Sequence, residues 1–237
     1  MDDNSQYLCE MVTPKKAPRK PVPHRLVISA HTGLNAEIFP DVLRLHVKDG
    51  ARIADVTYGK GAFWKFVPIG LYDTYFSDLN TGKNGPNALV RKMDCCKLSY
   101  EDASFDAVVL DPPYVASGKT IFGSLPGFEE AYRNNVRVDQ DGLKSHEAVL
   151  GLYVSAGIEA ARVLKKKGKL VVKCQDEVCG GKQCLTHVEI INEYAKLGFI
   201  CDDLFVVVRL GTVTVSRMNK QKHARKNHSF ICVFIKT

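Results

Sequence analysis

The stretch Phe105-Asp106-Ala107-Val108-Val109-Leu110-Asp111-Pro112-Pro113-Tyr114 decides how this chain is read. Its apolar part, Phe105 to Leu110, is short and carries small and β-branched residues, as a buried strand does. The strand stops at a carboxylate, two prolines and an aromatic ring. Proline fixes φ, so the pair stiffens the turn. Acceptors on Asp111 and on the Pro112 carbonyl, and a stacking face on Tyr114, then sit at one point. That combination suits a planar base carrying an amino group, which offers two N–H donors and a π-face.

Outward from this stretch, the same pattern of strand, turn and helix recurs. Arg52 to Val56 is a short apolar strand, followed by Thr57-Tyr58-Gly59-Lys60-Gly61-Ala62-Phe63, a glycine turn opening a helix. Strand Tyr72 to Ser77 ends at Asp78, a helix is expected near Asn87 to Arg91, and a short strand leads to Asp94. Upstream, from Thr32, the residues Leu34, Ile38, Val42, Leu43, Leu45 and Val47 have helical spacing, interrupted by Pro40 and closed by Gly50. Downstream, Ser145 to Lys167 reads as an amphipathic helix ended by Gly168, with Val149, Leu150, Tyr153, Val154, Ile158, Ala161 and Leu164 on its apolar face. Strand Lys169 to Cys174, helix Leu185 to Lys196 stopped by Gly198, and strands Ile200 to Leu210 and Phe230 to Ile235 complete the chain. Strands alternating with helices predict an α/β fold with a mainly parallel sheet. The last two strands, joined without a helix, read as an antiparallel pair. No internal repeat is visible.

With 237 residues and 45% apolar composition, the chain has enough for one substantial core. We expect a single domain over residues 25–237, preceded by a basic, flexible arm over residues 1–24. No apolar stretch approaches the roughly 20 residues that span a bilayer. Met1 to Pro23 is polar, with neither an apolar core region nor a cleavage site. The expectation is a soluble protein, cytoplasmic or otherwise intracellular. Eight cysteines without framework spacing fit free thiols in a reducing compartment. Cys174, Cys179, Cys184 and His187 form Cys-x4-Cys-x4-Cys-x2-His, which has the ligand types of a zinc site. Cys174 ends a buried strand and His187 starts a helix, so no metal is expected there. Trp64, the only tryptophan, is expected to pack in the core beside the first glycine loop.

Net charge is +7 and unevenly placed. Lys15, Lys16, Arg19, Lys20 and Arg25 cluster near the start, and Arg217, Lys220, Lys222, Arg225 and Lys226 near the end. Basic clusters free of interleaved acids raise the local concentration of a polyanion. Charge alone does not choose between DNA and RNA.

Asp111-Pro112-Pro113-Tyr114 resembles the catalytic motif of the amino methyltransferases, enzymes that use S-adenosyl-L-methionine to methylate exocyclic nitrogens of nucleic-acid bases. The order of elements resembles the class I methyltransferase fold, a three-layer αβα, Rossmann-like architecture with a seven-stranded, mostly parallel sheet whose last strand runs antiparallel. The resemblance covers almost everything after residue 30. It implies that S-adenosyl-L-methionine is the cofactor. Asp55-x-Thr57-x-Gly59-x-Gly61 resembles the first cofactor motif, where glycines let the backbone approach the ligand and the acid attracts the methionine amino group. Tyr58 and Lys60 depart from the residues many members carry between the glycines. Asp78 resembles the acid that accepts both ribose hydroxyls, and Asp94 with Cys95 the segment that contacts the adenine.

The resemblance further implies that Asp111 and Pro112 hold the two amino hydrogens of the target and favour a tetrahedral nitrogen for in-line attack, with Pro113 stiffening the loop and Tyr114 stacking on the base. A target in a duplex would first be flipped out. Among the resembling families this tetrapeptide is commonest in DNA adenine-N6 enzymes. Cytosine-N4 enzymes more often begin with Ser, and RNA guanine-N2 enzymes share the motif. Methylation of adenine N6 in DNA is therefore the first expectation; cytosine N4, an RNA amine, and a noncatalytic methyltransferase-like subunit follow. Residues 115–144, with Lys119, Phe122, Phe128, Tyr132, Arg133 and Arg137, make an inserted loop long enough to close over a target. Lys119, Lys220, Lys222, Arg225 and Lys226 are the expected phosphate contacts. With no large recognition domain, the chain reads a short sequence with its loops, reads little, or relies on a protein partner.

Overall fold

The computed structural model describes residues 26–81, 90–112, 146–211 and 221–237. The N-terminal arm, most of the helix expected near Asn87, the inserted loop 115–144, and Pro113, Tyr114, Lys119 and Lys220 lie outside the described residues. Along the chain the elements are β1 (Ala30–Thr32), α1 (Asn35–His46), β2 (Arg52–Asp55), a 3-10 helix (Ala62–Phe66), β3 (Asp73–Asp78), β4 (Arg91–Lys92), β5 (Phe105–Leu110), α2 (His146–Val163), β6 (Leu164–Cys174), β7 (Glu177–Cys179), β8 (Lys182–Cys184), α3 (Thr186–Lys196), β9 (Phe199–Val208) and β10 (His228–Lys236).

Strand β5, the apolar run before Asp111, sits in the middle of one sheet, ordered β1-β9-β10-β6-β5-β2-β3-β4. β5 pairs in parallel with β2 on one side (Ala54 with Val108, Asp55 with Val109) and with β6 on the other (Val109 with Val171). β10 runs antiparallel to both of its neighbours, β6 and β9, as expected for the last strand of this fold. The seven anticipated strands occupy their expected places. An eighth, β1, adds to the edge by pairing in parallel with Val206 to Val208 of β9. Its three residues are too few to carry a periodicity, which is why the sequence did not announce it.

Other elements correct the sequence reading. The long helix stops at Val163 because Leu164 already pairs with Phe105, so Leu164 to Lys167 belong to strand β6. Gly168 is therefore a residue of that strand, not a helix terminator. A Cβ there would press on the carbonyl oxygens of Lys165 and Asp106, so the close approach of two strands selects glycine. The glycine turn after β2 opens only a five-residue 3-10 helix. Pro40 lies inside α1 without ending it. The hairpin β7–β8 was not foreseen, although its turn, Gly180-Gly181 with φ of 56° and 75°, has the residue pair that two-residue hairpin turns favour.

Side chains alternate between two apolar layers. Val108 and Leu110 of β5, Leu170 and Val172 of β6, and Cys232 and Phe234 of β10 face α2 and α3 together with Tyr153 and Tyr194. Ala107 and Val109, Val171, and Ile231 and Val233 face Ile38, Phe39, Val42 and Leu43 of α1 and Phe63 of the 3-10 helix. Among the described residues no helix is long and apolar enough to cross a membrane.

The contact between α2 and α3 gives a test in which local preference and packing oppose each other. In a helix interior, alanine is favoured over glycine by about 1 kcal/mol. At Gly157, however, a Cβ would lie 2.5 Å from the Tyr194 ring. That ring is fully buried, and its hydroxyl donates to the Tyr153 carbonyl at 2.8 Å, so it has no room to retreat. Gly157→Ala should lower stability by roughly 1–3 kcal/mol in urea unfolding, the usual cost of overpacking. A variant as stable as the parent would mean that α2 and α3 do not pack as described.

Candidate active site

Strand parity brings the chemistry together. In β5 and β6, the residues that alternate toward α1 continue past Ala107, Val109 and Val171 to Asp111 and Lys173. Ile53 of β2 faces the same layer, and two residues on comes Asp55. Because parallel strands all end on one side of a sheet, these groups meet at the carboxyl ends of β2, β5 and β6.

Asp55 is almost wholly buried, at 3% exposure. It accepts hydrogen bonds from the Trp64 indole N–H at 2.7 Å and from the Thr57 amide at 3.1 Å. Burial pushes its carboxyl up to about 7 against the pull of those two bonds, and the charges of Asp111 and Asp78 push the same way. The three acids, each at the carboxyl end of a parallel strand, are therefore near enough for their charges to act on one another. Trp64 does pack beside the first loop, edge-on to Phe39 and Phe76, but its N–H also satisfies Asp55, a role that the lone tryptophan did not signal in sequence.

The loop after β2 is shaped by its glycines. Gly59 and Gly61 have φ of 55° and 69°, the left-handed region that side chains resist. A Cβ on Gly61 would also collide with the Tyr58 ring, which lies 4.4 Å, centroid to centroid, from Phe76. Asp78, the last residue of β3, accepts from the Gly59 amide through one oxygen and from the Asn80 amide through the other, both at 2.8 Å. Each oxygen keeps a further lone pair for a ligand. Asp94 is exposed, and its carboxylate accepts from the Cys96 amide at 2.9 Å. Cys95 points inward, and its hydrogen bond with Cys96, together with burial, holds its thiol well above the ordinary range.

Asp111 is fixed from two sides. Its amide donates to the Thr57 hydroxyl at 2.6 Å, which ties the turn after β5 to the loop after β2. Its carboxylate, half-buried, faces the Lys173 ammonium at 3.1 and 3.3 Å. Pro112 is buried beside it.

Lys173 begins a run of buried polar residues that the sequence reading passed over. Gln175 donates to the Lys226 carbonyl at 3.2 Å and accepts from Arg209 at 3.1 Å. Asp176 takes the His187 ring at 2.7 Å, and Glu177 takes His146 at 2.9 Å. The available signal was Lys-Cys-Gln-Asp-Glu directly after a buried strand, polar residues where the fold leaves little water. Of the residues with zinc-ligand spacing, Cys174 is buried in β6, Cys179 and Cys184 sit on the β7–β8 hairpin, and His187 is engaged by Asp176 and stacked on Phe230 at 4.0 Å. Of the expected phosphate contacts, Lys222 and Arg225 are exposed and Lys226 is half-buried. This basic segment rests on the end of β6 through Gln175 and on the hairpin through the His223 ring and the Gly181 carbonyl, 2.9 Å apart.

Residues 105–237 match the family model for N6/N4 methyltransferases, described as DNA methylase. The chain belongs to the DNA methylase family. No curated protein matches the sequence of this methylase. Among solved structures it resembles the [4+2]-cyclase SpnF, with 15% identity over 83% of this chain and 79% of that one and a TM-score of 0.51, a likeness of fold. Others are a SAM-dependent methyltransferase from Methanosarcina mazei (14% identity, 82% and 96% covered, TM-score 0.48) and a protein assigned as a DNA modification methylase from Thermus thermophilus, complexed with S-adenosyl-L-methionine (22% identity, TM-score 0.38). The latter match spans 60% of the methylase and about half, 53%, of the Thermus chain.

S-adenosyl-L-methionine is the cofactor that family membership brings, and the crevice suits it. The ligand carries a sulfonium, an ammonium and a vicinal diol, all wanting anions or acceptors. Asp55 and Asp78 supply carboxylates beside the glycine loop, and the repulsion that Asp78 and Asp111 exert on Asp55 is what a cationic ligand there would relieve.

A pH dependence follows from Asp55. Its folded-state carboxyl is raised above the ordinary 3.8, so its contribution to stability is fully present below about 4 and is lost as pH rises through about 7. The loss across that window amounts to at most about 4 kcal/mol. In the absence of cofactor, the unfolding midpoint of the wild type should fall between pH 4 and 7 more steeply than that of Asp55→Asn. Parallel curves for the two proteins would show that Asp55 is not a strained carboxylate.

Proposed function

We propose that this methylase transfers a methyl group from S-adenosyl-L-methionine to an exocyclic amino group of a nucleic-acid base, adenine N6 in DNA first. The observation that carries the reading is Asp111, held by Thr57 and Lys173 at the end of β5, in one crevice with the acids assigned to the cofactor. The cofactor, when bound, supplies an electrophilic methyl on a sulfonium. Everything else falls to the chain.

In this reading Asp55 meets the methionine ammonium, Asp78 the ribose diol and Asp94 with Cys95 the adenine, while Thr57, Gly59 and Gly61 shape the loop that lies against them. The amine to be methylated is a poor nucleophile because its lone pair is delocalised into the ring. Asp111 and the Pro112 carbonyl accept its two hydrogens, which localises that pair and aims it along the line of transfer. Pro113 and Tyr114 are assigned the roles of stiffening the loop and stacking on the base. A carboxylate also stabilises the positive charge that develops on the nitrogen and is placed to take its proton. No covalent enzyme intermediate is needed.

Lys119, Lys220, Lys222, Arg225 and Lys226 are assigned to backbone phosphates. Such contacts orient a nucleic acid without reading it. Cytosine N4 and amines of RNA present the same two hydrogens to Asp111, so the polymer and base are decided by experiment. Acceptors and cofactor acids come from one chain, so a protein partner would serve recognition of the target and not the transfer itself.

Nucleoside mass spectrometry after incubation with labelled S-adenosyl-L-methionine and, in parallel, unmethylated duplex DNA, single-stranded DNA and RNA should reveal N6-methyladenine in DNA. A methylated base found only in RNA would overturn the polymer assignment. Asp111→Ala should abolish transfer and leave cofactor affinity within about twofold, because its carboxylate serves the amine; each tenfold loss of affinity would correspond to about 1.4 kcal/mol of missing cofactor contact. Asp78→Ala should instead weaken cofactor binding, as read by calorimetry, and an unchanged dissociation constant would remove it from the ribose site.

A further inference from the structure

We infer that Lys173 is a positioning residue for methyl transfer, holding the Asp111 carboxylate in the orientation that accepts the target amine. The inference rests on the assignment of Asp111 to that amine. Four observations support it. First, the Lys173 ammonium lies within 3.1 and 3.3 Å of the two carboxylate oxygens, so it grips the group from one side. A carboxylate offers about four lone-pair directions, and this arrangement leaves others open to a base.

Second, Lys173 is itself immobilised. It is only 4% exposed, and its backbone pairs with Ile231 across the antiparallel β6–β10 ladder while its carbonyl accepts the Tyr153 hydroxyl at 2.8 Å. The ammonium also lies 5.9 Å from the centre of the Phe63 ring, at the outer reach of a cation–π contact. A lysine on a flexible surface stem could not fix a partner; one rooted in the middle of a sheet can. Third, the register is right without distortion, since Lys173 lies just past Val172, which pairs with Leu110, the residue before Asp111.

Fourth, the crevice contains three carboxylates whose charges act on one another. Against that repulsion the Lys173 ammonium gives the Asp111 carboxylate an attractive partner, which favours one orientation of the group. An ion pair this buried contributes little to stability when compared with well-packed apolar side chains. Its value here lies in orientation.

Two readouts test the inference. In the first, the thermal midpoints of Asp111→Asn, Lys173→Met and the double variant form a cycle. Either single change removes one charge of the pair, so the double variant should lose less than the sum of the two losses. In the second, steady-state kinetics of Lys173→Met should show kcat reduced about 10- to 100-fold with KM for cofactor and nucleic acid within about twofold, the signature of a misaligned acceptor. If Lys173→Met does not fold, Lys173→Gln serves for both. Additive midpoints would overturn the pair. Coupled midpoints with an unchanged kcat, or a loss confined to KM, would make the pair a strut and overturn the positioning role. Coupled midpoints in a wild type that methylates no polymer would overturn the functional reading of Asp111, and the role with it, while the pair itself stands.

Discussion

The site depends on the parallel register of β2 against β5. Asp55 pairs with Val109, so the first acid lies two residues short of the second along neighbouring strands, and the Val56 amide reaches the Val109 carbonyl at 3.2 Å. A one-residue slip of β5 would turn Asp111 toward α2 and bury Leu110 against the 3-10 helix. Both faces of this sheet are apolar, so the register is set by the side chains themselves: Val108 and Leu110 fill the layer with Tyr153, and Ala107 and Val109 fill the smaller one under Phe39. Packing deep in the core thereby aims the carboxylates.

Once aimed, the acids must be kept apart in energy. Asp55 is buried with neutral donors and its carboxyl is pushed up to about 7; Asp78 is spread over two backbone amides; Asp111 has a cation. Three like groups thus receive three environments. Thr57 ties two of them mechanically, because it donates its amide to Asp55 and accepts the Asp111 amide at its hydroxyl. A ligand that draws on Asp55 therefore acts on the same residue that holds the turn carrying Asp111. Coupling between Asp55 and Asp111 through Thr57 needs no movement of the sheet.

Much of this was legible in sequence, for identifiable reasons. Strand β5 was read residue for residue because a short apolar run ended by Asp-Pro-Pro admits one boundary. The crevice was legible because acids that end parallel strands have only one side to go to. Lys173 was not, because a lysine after Leu-Val-Val looks like a strand end entering solvent, and only the pairing with β10 shows that the strand is central there. Trp64 was placed correctly but without its hydrogen bond to Asp55, which needs nine residues of turn to close. The helix α2 was drawn four residues too long because Leu164 fits both a helical face and the strand that starts at it; the partner, Phe105, decides. Long-range pairing overrode local pattern in each case.

Strand β6 links the Asp111 turn to the basic segment near the end of the chain. Lys173 faces Asp111, and two residues on, Gln175 receives Arg209 and binds the Lys226 carbonyl. Both contacts start from one rigid strand end, so the charge assigned to a phosphate and the carboxylate assigned to an amine share a reference point. Phosphate contacts alone would leave a polyanion free to slide. In the proposed reading, phosphate contacts from a segment docked at the end of β6, the strand whose Lys173 holds Asp111, would set the distance from backbone to target base, the dimension that a flipped nucleotide must match.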